Sequence, residues 1–157
     1  TAAMGAAMRA LGHGRKVLVL QFIKGPWESG EHKSAARLAP DLEIRRVGAG
    51  FVDAGKGPTR EDVEAAKEGI RQAESALAGG GYDLVILDEL TCAIGCGLID
   101  LKETMRVLKE RRKGVGVIIT GRDAPPELLE MADTVTEFRE VKHPFKRGIK
   151  ARRGIEY

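Results

Sequence analysis

The chain has 157 residues, of which 43% are apolar and 31% charged, a balance typical of one folded domain rather than a disordered segment. The net charge of +3 is too small to indicate nucleic-acid binding. No apolar stretch has transmembrane length and no signal peptide is visible. The only cysteines, Cys92 and Cys96, do not form a secreted disulfide pattern, so we predict a reducing, cytoplasmic setting without a membrane partner.

The first half of the chain is predicted to contain one helix and two strands. An Ala-rich stretch from residue 1 favours a helix that ends at Gly12 or Gly14. The small residues Ala2, Ala3, Gly5 and Ala6 would let this helix lie close to a sheet. Composition and turn signals then predict a buried strand at 16–24 and a loop with one helical turn at 25–40. A shorter strand at 42–48 and a Gly-rich surface loop at 49–58 follow.

Helix start signals are clearer in the second half. Thr59 with Asp62 is close to a capping box and starts a helix to about Leu77. Asp100 with Glu103 gives the same pattern before another helix. The remaining elements are two apolar strands, a short helix begun by prolines and a final strand, at 82–88, 114–121, 123–132 and 134–140. Apolar strands that alternate with helices predict an α/β domain with a mostly parallel sheet and helices on both faces.

The stretch "YDLVILDELT" places two acids, Asp88 and Glu89, at the end of a predicted buried strand. In parallel sheets, ligands bind beyond the carboxyl ends of the strands. An apolar strand that ends in Asp-Glu is the pattern of a Walker B motif, in which the acids bind Mg²⁺ or orient a nucleophile. The alternative is that the acids only cap the next helix or loop. Other polar residues at predicted strand ends are Gln21, Lys24, Thr91, Thr120 and Arg122.

The phosphate-binding loop that accompanies a Walker B motif, G-x-x-x-x-G-K-[ST], is absent from the sequence. However, "TAAMGAAMRALGHGRKVLVLQFIKG", "LVILDELT", "VIITGR" and "ADTVTEFREVKHPFKRGIKARRGIEY" closely resemble the P-loop type of ATP:corrinoid adenosyltransferase. The resemblance covers nearly the whole chain in order, and the segment from "VKHPF" to "GIEY" is its most specific part. In that family a loop ending in Lys-Thr-Thr precedes the first helix, so Thr1 matches its last Thr.

The resemblance implies one P-loop NTPase-like, RecA-like domain over 1–157, with three layers. It implies transfer of the 5′-deoxyadenosyl group of ATP to Co(I) of a cobalamin or a cobyrinic acid diamide, with release of triphosphate. A flavoprotein reductant, a homodimer and Mg²⁺ are also implied. Two alternatives stay open from the residues alone: a P-loop ATPase that hydrolyses the γ-phosphate, and a non-catalytic nucleotide- or corrinoid-binding module.

Residue roles also follow from the resemblance. Asp88 and Glu89 are expected to hold Mg²⁺ and support catalysis. The residues expected to contact ATP are Thr1, Arg9, Lys24 and Arg122. Those expected to contact the corrinoid are Trp27, Phe51, Lys142 and His143, although both aromatic residues would serve equally as loop anchors. The sequence departs from some family members at three positions. Asp53 replaces a second aromatic residue of those members, and Cys92 and Cys96 replace tyrosines. We interpret the two cysteines as small buried residues.

The segment 139–157 forms a basic C-terminal tail. It has seven Lys and Arg residues against two Glu. Such a tail suits an anionic ligand, here the triphosphate or the corrinoid side chains, and suits a solvated terminus about as well.

Overall fold

The computed structural model describes residues 2–24, 29–48, 50 and 57–155. Four strands form one parallel sheet in the order β2-β1-β3-β4. The strands are β1 (Val17–Gln21), β2 (Leu42–Arg46), β3 (Leu84–Asp88) and β4 (Gly116–Ile119). The predictions for Thr1, Trp27, Phe51 and Asp53 lie outside the described residues.

Helices connect the strands and cover the sheet. They are α1 (Ala2–Gly12), α2 (Gly30–Leu38), α3 (Arg60–Gly79), α4 (Leu90–Gly95), α5 (Leu101–Lys109) and α6 (Pro126–Met131), followed by a 3₁₀ turn at Pro144–Arg147. The predicted capping box at Thr59 and Asp62 is confirmed, with reciprocal bonds of 2.8 and 3.2 Å. None of the described helices is long and apolar enough to cross a lipid bilayer.

The two faces of the sheet build two separate hydrophobic clusters. Leu18, Leu20 and Leu87 belong to the cluster that includes α3 and α5. Their neighbours in the strands, such as Val19 and Ile86, belong to the cluster that includes α1 and α2. Because side chains alternate between faces along a strand, continuous apolar runs are expected when both faces are covered. The predicted three-layer α/β fold of the P-loop NTPase type is confirmed.

Helix α1 packs on the sheet through alanine rather than glycine. Ala3 and Ala7 are buried against the strands. Of the small residues expected to permit the close approach, Ala3 lies in the contact, whereas Gly5 lies on the exposed side, and a Cβ there would meet no atom within 4 Å. The contact face follows the helical spacing of four residues between Ala3 and Ala7, and Gly5 falls between them on the other side.

Two local predictions were wrong, and one helix was missed. The loop at 25–40 contains a nine-residue helix, α2, rather than one turn. Helix α4, directly after β3, was not predicted. Residues 134–140 do not form a strand, and Val135 and Phe138 are 55% and 76% exposed. The apolar residues of that segment match a strand pattern, but no neighbouring strand pairs with it within the described part of the chain, and a strand needs such hydrogen bonds.

Helix α3 packs tightly against Val47 and Phe22 at Gly69. A Cβ at this position would lie 2.8 Å from Val47 Cγ2 and 2.9 Å from Phe22 Cε1. Both neighbours are buried in the core, so neither side chain can move away without disturbing other packing.

We therefore expect Gly69→Ala to lower the free energy of unfolding by about 1–3 kcal/mol, since overpacking outweighs the gain in helix propensity. Gly5→Ala is the matched control, because it adds the same methyl to a helix where space is free. This control should raise stability by about 0.5–1 kcal/mol. Urea unfolding followed by circular dichroism measures both variants, and equal effects at the two sites would contradict the packing argument.

Candidate nucleotide and metal site

Three polar residues lie side by side where adjacent strands leave the core. Gln21 ends β1 and pairs in register with Asp88, which ends β3. Leu87 pairs with Ile119, so Thr120 lies beside Asp88 on its other side. The parallel register therefore brings residues far apart in the chain to one edge of the sheet.

The Asp88 carboxylate accepts hydrogen bonds from both neighbouring strands. Thr120 Oγ1 donates to Asp88 Oδ1 at 2.8 Å, and Gln21 Nε2 donates to Oδ2 at 3.4 Å. Gln21 is only 3% exposed, and its Oε1 has no hydrogen-bond partner among the described residues. Since a buried acceptor without a donor is costly, this atom suits a donor that arrives from outside the described residues.

Glu89 follows with an unusual backbone conformation. Its φ and ψ are 60° and 26°, in the left-handed region, which costs a non-glycine residue roughly 1–2 kcal/mol. Its N–H donates to Thr120 Oγ1 at 2.9 Å, and α4 begins at the next residue. Strained backbone of this kind often accompanies functional sites, where surrounding contacts hold it in place.

Electrostatics distinguish Glu89 from the other acids. Burial raises the pKa of the half-buried Glu89 carboxyl, and the negative charge of Asp88 raises it further. The cationic side chains of Lys24 and Arg122 act in the opposite direction and lower the pKa of Glu89. Four residues predicted from the sequence, two acids and two cationic side chains, therefore interact electrostatically at this edge. Such a set can hold a cation and an anion next to each other.

The segment after β4 is attached closely to the start of α4. The Thr91 hydroxyl donates to the Arg122 carbonyl at 2.8 Å, and the Arg122 N–H donates to Cys92 Sγ at 3.3 Å. Gly121 directly precedes Arg122 and has a φ of +146°. A Cβ at this position would be 2.0 Å from Thr91 Oγ1. Only glycine fits this position, because both the conformation and the contact exclude a side chain.

Other predicted site residues lie apart from the acids. Arg9 is exposed in the last turn of α1. That turn leads into the start of β1 and so lies near the amino edge of the sheet, opposite to Asp88 and Glu89. The structure does not bring Arg9 together with the acids of its own chain.

Lys142 and His143 are exposed on the C-terminal tail. His143 Nδ1 accepts the N–H of Phe145 at 3.2 Å, so His143 caps the 3₁₀ turn. The positive charge of Arg122 contributes to lowering the pKa of Glu140, after the larger effect of its hydrogen bond to Lys146. Glu140, on the tail, therefore lies within electrostatic range of Arg122.

In the sequence, Gln21, Thr91 and Thr120 stand out only as polar residues at predicted strand ends. Their mutual contacts depend on strand register, which has no local signal. The left-handed conformation of Glu89 also has no signal, because glycine and asparagine are the residues that usually mark it. The interpretation of both cysteines as buried was wrong for Cys96, which is exposed, while Cys92 is partly buried and accepts a hydrogen bond.

A three-layer parallel α/β domain with adjacent acids at its carboxyl edge is consistent with the class of P-loop-type nucleotide-binding proteins. The family model for the ATP:corrinoid adenosyltransferases BtuR/CobO/CobP matches residues 1–157. The chain belongs to this ATP:corrinoid adenosyltransferase family, as the resemblance implied.

Individual relatives agree with the family match. The chain is 41% identical to a corrinoid adenosyltransferase of Escherichia coli (strain K12), over 100% of this chain and 79% of that protein. It is 40% identical to the Pseudomonas aeruginosa corrinoid adenosyltransferase, over 100% and 77%. It is 39% identical to corrinoid adenosyltransferase CobA of Salmonella typhimurium, over 100% and 79%.

The raised pKa of Glu89 makes a prediction about stability. The native state keeps the Glu89 proton to higher pH than the unfolded state, so this residue's contribution to stability falls as pH rises from the unfolded pKa through the folded pKa. Replacing it by Gln removes the charge. Without added nucleotide or divalent cation, Glu89→Gln should therefore be more stable than the wild type at neutral pH.

This stability difference should shrink as pH falls below the unfolded-state pKa of the carboxyl, to about 3, where the carboxyl is largely protonated in both states. Urea unfolding across this pH range measures it. Glu130→Gln, at an exposed position on α6, is the control and should change little. A Glu89→Gln protein less stable than the wild type at neutral pH would show that the charge is favourably compensated in the free protein.

Proposed function

We propose that this chain transfers the 5′-deoxyadenosyl group of ATP to the cobalt of a reduced corrinoid and releases triphosphate. The observation that carries the proposal is the position of Asp88 and Glu89, beside Lys24 and Arg122, at the carboxyl edge of the sheet in a chain of this family. The relatives named above are corrinoid adenosyltransferases by name, which supports the same reaction.

The reaction is a displacement at the 5′ carbon of the ribose. Co(I) of the corrinoid donates the electron pair of the new Co–C bond, the C5′–O bond breaks, and its electron pair leaves on the triphosphate. No protein nucleophile is required. The protein must align the two substrates and stabilise the charge that develops on the leaving oxygen. Lys24 and Arg122 act on Glu89 electrostatically, so their charges are near the edge where we propose the triphosphate lies.

The acids fit Mg²⁺ as the metal that accompanies ATP. Asp88 and half-buried Glu89 are adjacent carboxylates whose repulsion a cation relieves. No group of three His, Cys, Asp or Glu side chains suited to a metal occurs in the described ranges. Two carboxylates match the coordination preference of Mg²⁺ in proteins, whose other ligands are usually waters and substrate phosphates. When bound, Mg²⁺ would supply charge stabilisation for the departing triphosphate.

The corrinoid side of the proposal rests on the family resemblance and on the tail. We propose that Phe51 and Trp27 contact the corrinoid, with Thr1 at the triphosphate. Lys142 and His143 lie on the same tail as Glu140, which is within electrostatic range of Arg122. Phe138, just before the tail, and Val141 and Phe145 within it are 76–82% exposed, which provides apolar surface together with positive charge. A flavoprotein reductant, a homodimer and a reducing cytoplasmic setting complete the proposal.

The products distinguish this reaction from ATP hydrolysis and from simple binding. Full-length protein supplied with ATP, Mg²⁺ and chemically reduced cobalamin should form a light-sensitive Co–C product and an equal amount of triphosphate. Absorbance spectroscopy and anion-exchange chromatography measure these two species. Orthophosphate without a Co–C product would instead identify an ATPase, and binding without turnover would identify a non-catalytic module.

A second expectation concerns the role of Glu89 in the same assay. Glu89→Gln should lower the rate by about 10- to 1000-fold, the range for loss of one electrostatic stabiliser. Glu130→Gln should retain the wild-type rate, since this exposed side chain lies on α6. If Glu89→Gln reacts at the wild-type rate, the acid serves only to begin α4.

A further inference from the structure

The Thr120 hydroxyl connects the two acids. Its oxygen accepts the Glu89 N–H at 2.9 Å, and it lies 2.8 Å from Asp88 Oδ1. The amide can only donate and an ionised carboxylate can only accept, so the single hydroxyl hydrogen must point to Asp88. One side chain from β4 thus contacts the backbone of one acid and the carboxylate of the other.

The backbone of Thr120 is itself held in place. Its N–H donates to the Leu87 carbonyl at 3.1 Å, and its carbonyl accepts the Thr91 N–H at 3.4 Å. Together with the Thr91–Arg122 bond on the following residues, these contacts join the end of β4 to β3 and α4 without the Thr120 hydroxyl. The hydroxyl is therefore not required to connect the strands, and its bonds to the acids need another explanation.

The Thr120 hydroxyl makes a shorter hydrogen bond to Asp88 than Gln21 does, and it also accepts the Glu89 amide. The second donor to Asp88, Gln21 Nε2, is at 3.4 Å and so makes a weaker contact. Glu89 adopts a left-handed conformation that is unfavourable for a non-glycine residue. Its amide hydrogen bond to Thr120 is one of the contacts that maintain this conformation.

We propose that Thr120 is a positioning residue for the divalent cation. By binding Asp88 Oδ1 and the Glu89 N–H simultaneously, it holds the two acids in the arrangement that receives Mg²⁺ with ATP. The inference rests on the proposed function in that Asp88 and Glu89 are taken as the cation site. Groups that orient metal-binding carboxylates typically change metal affinity by about 10- to 100-fold when they are removed.

Calorimetric titration of full-length protein with ATP at a series of Mg²⁺ concentrations tests the proposal without any turnover. Thr120→Val keeps the side-chain volume and removes the hydroxyl. The Mg²⁺ concentration that gives half-maximal ATP binding should rise by about 10- to 100-fold in this variant. Thr120→Ser restores the hydroxyl and should return the Mg²⁺ requirement to within about threefold of the wild type.

Thr104→Val is the matched control. Thr104 is 1% exposed, and its hydroxyl donates to the Asp100 carbonyl at 3.0 Å on α5, in a bond of the same kind away from the acids. It should lower stability in urea and leave the Mg²⁺ requirement unchanged. Thr120→Ala provides a second removal of the hydroxyl without a methyl group against Asp88, and decides the test if Thr120→Val does not fold.

Wild-type Mg²⁺ dependence in a folded variant without the hydroxyl would overturn the proposal. An equal rise of the Mg²⁺ requirement in Thr120→Ser would also overturn it, because the hydroxyl would then not be the relevant group. The same holds if ATP binding by the wild type does not depend on Mg²⁺. The proposed reaction fails separately: protein that shows the expected Mg²⁺ effects but forms no Co–C product would refute the transferase function and leave the role of Thr120 intact.

Discussion

The burial of β3 on both faces is the constraint on which the rest of the structure depends. Val85, Ile86 and Leu87 are at most 1% exposed, because α3 and α5 cover one face and α1 covers the other. An ionised side chain within such a strand would lose its hydration without compensation. Charged groups can therefore occur only where the strand leaves the core, and the parallel arrangement brings all such ends to one edge.

The site is a direct consequence of this arrangement. Neighbouring strands deliver neutral donors, Gln21 and Thr120, to the two oxygens of Asp88. Glu89 is the first residue after β3, where it is partly desolvated and conformationally strained. Desolvation and the charge of Asp88 disfavour the ionised carboxylate in the free protein, and a bound cation would offset part of that cost. Stability and function are thus opposed at this residue, as is common in binding sites.

Signals that act over a few residues were sufficient to predict much of the fold and the two acids of the candidate site. The capping box of α3, the buried strands and the acids after β3 are all encoded by neighbouring residues, and these predictions were confirmed in structure. The predicted strand at 134–140 was wrong because an apolar pattern does not determine whether a partner strand is present. The contact between Thr120 and Asp88, 32 residues apart, could not be predicted because it depends on the pairing of β3 with β4.

By itself, the sequence determined the α/β class, the placement of two acids after a buried strand and the family resemblance that the comparisons bear out. Each of these follows from residue order alone, through hydrophobic periodicity and motif spacing. Only the tertiary structure decided which side chains meet: that Lys24 and Arg122 act on Glu89, that Arg9 is at the opposite edge, and that one hydroxyl holds both acids. The reason is that strand register and helix packing, which are long-range properties of the chain, set these distances.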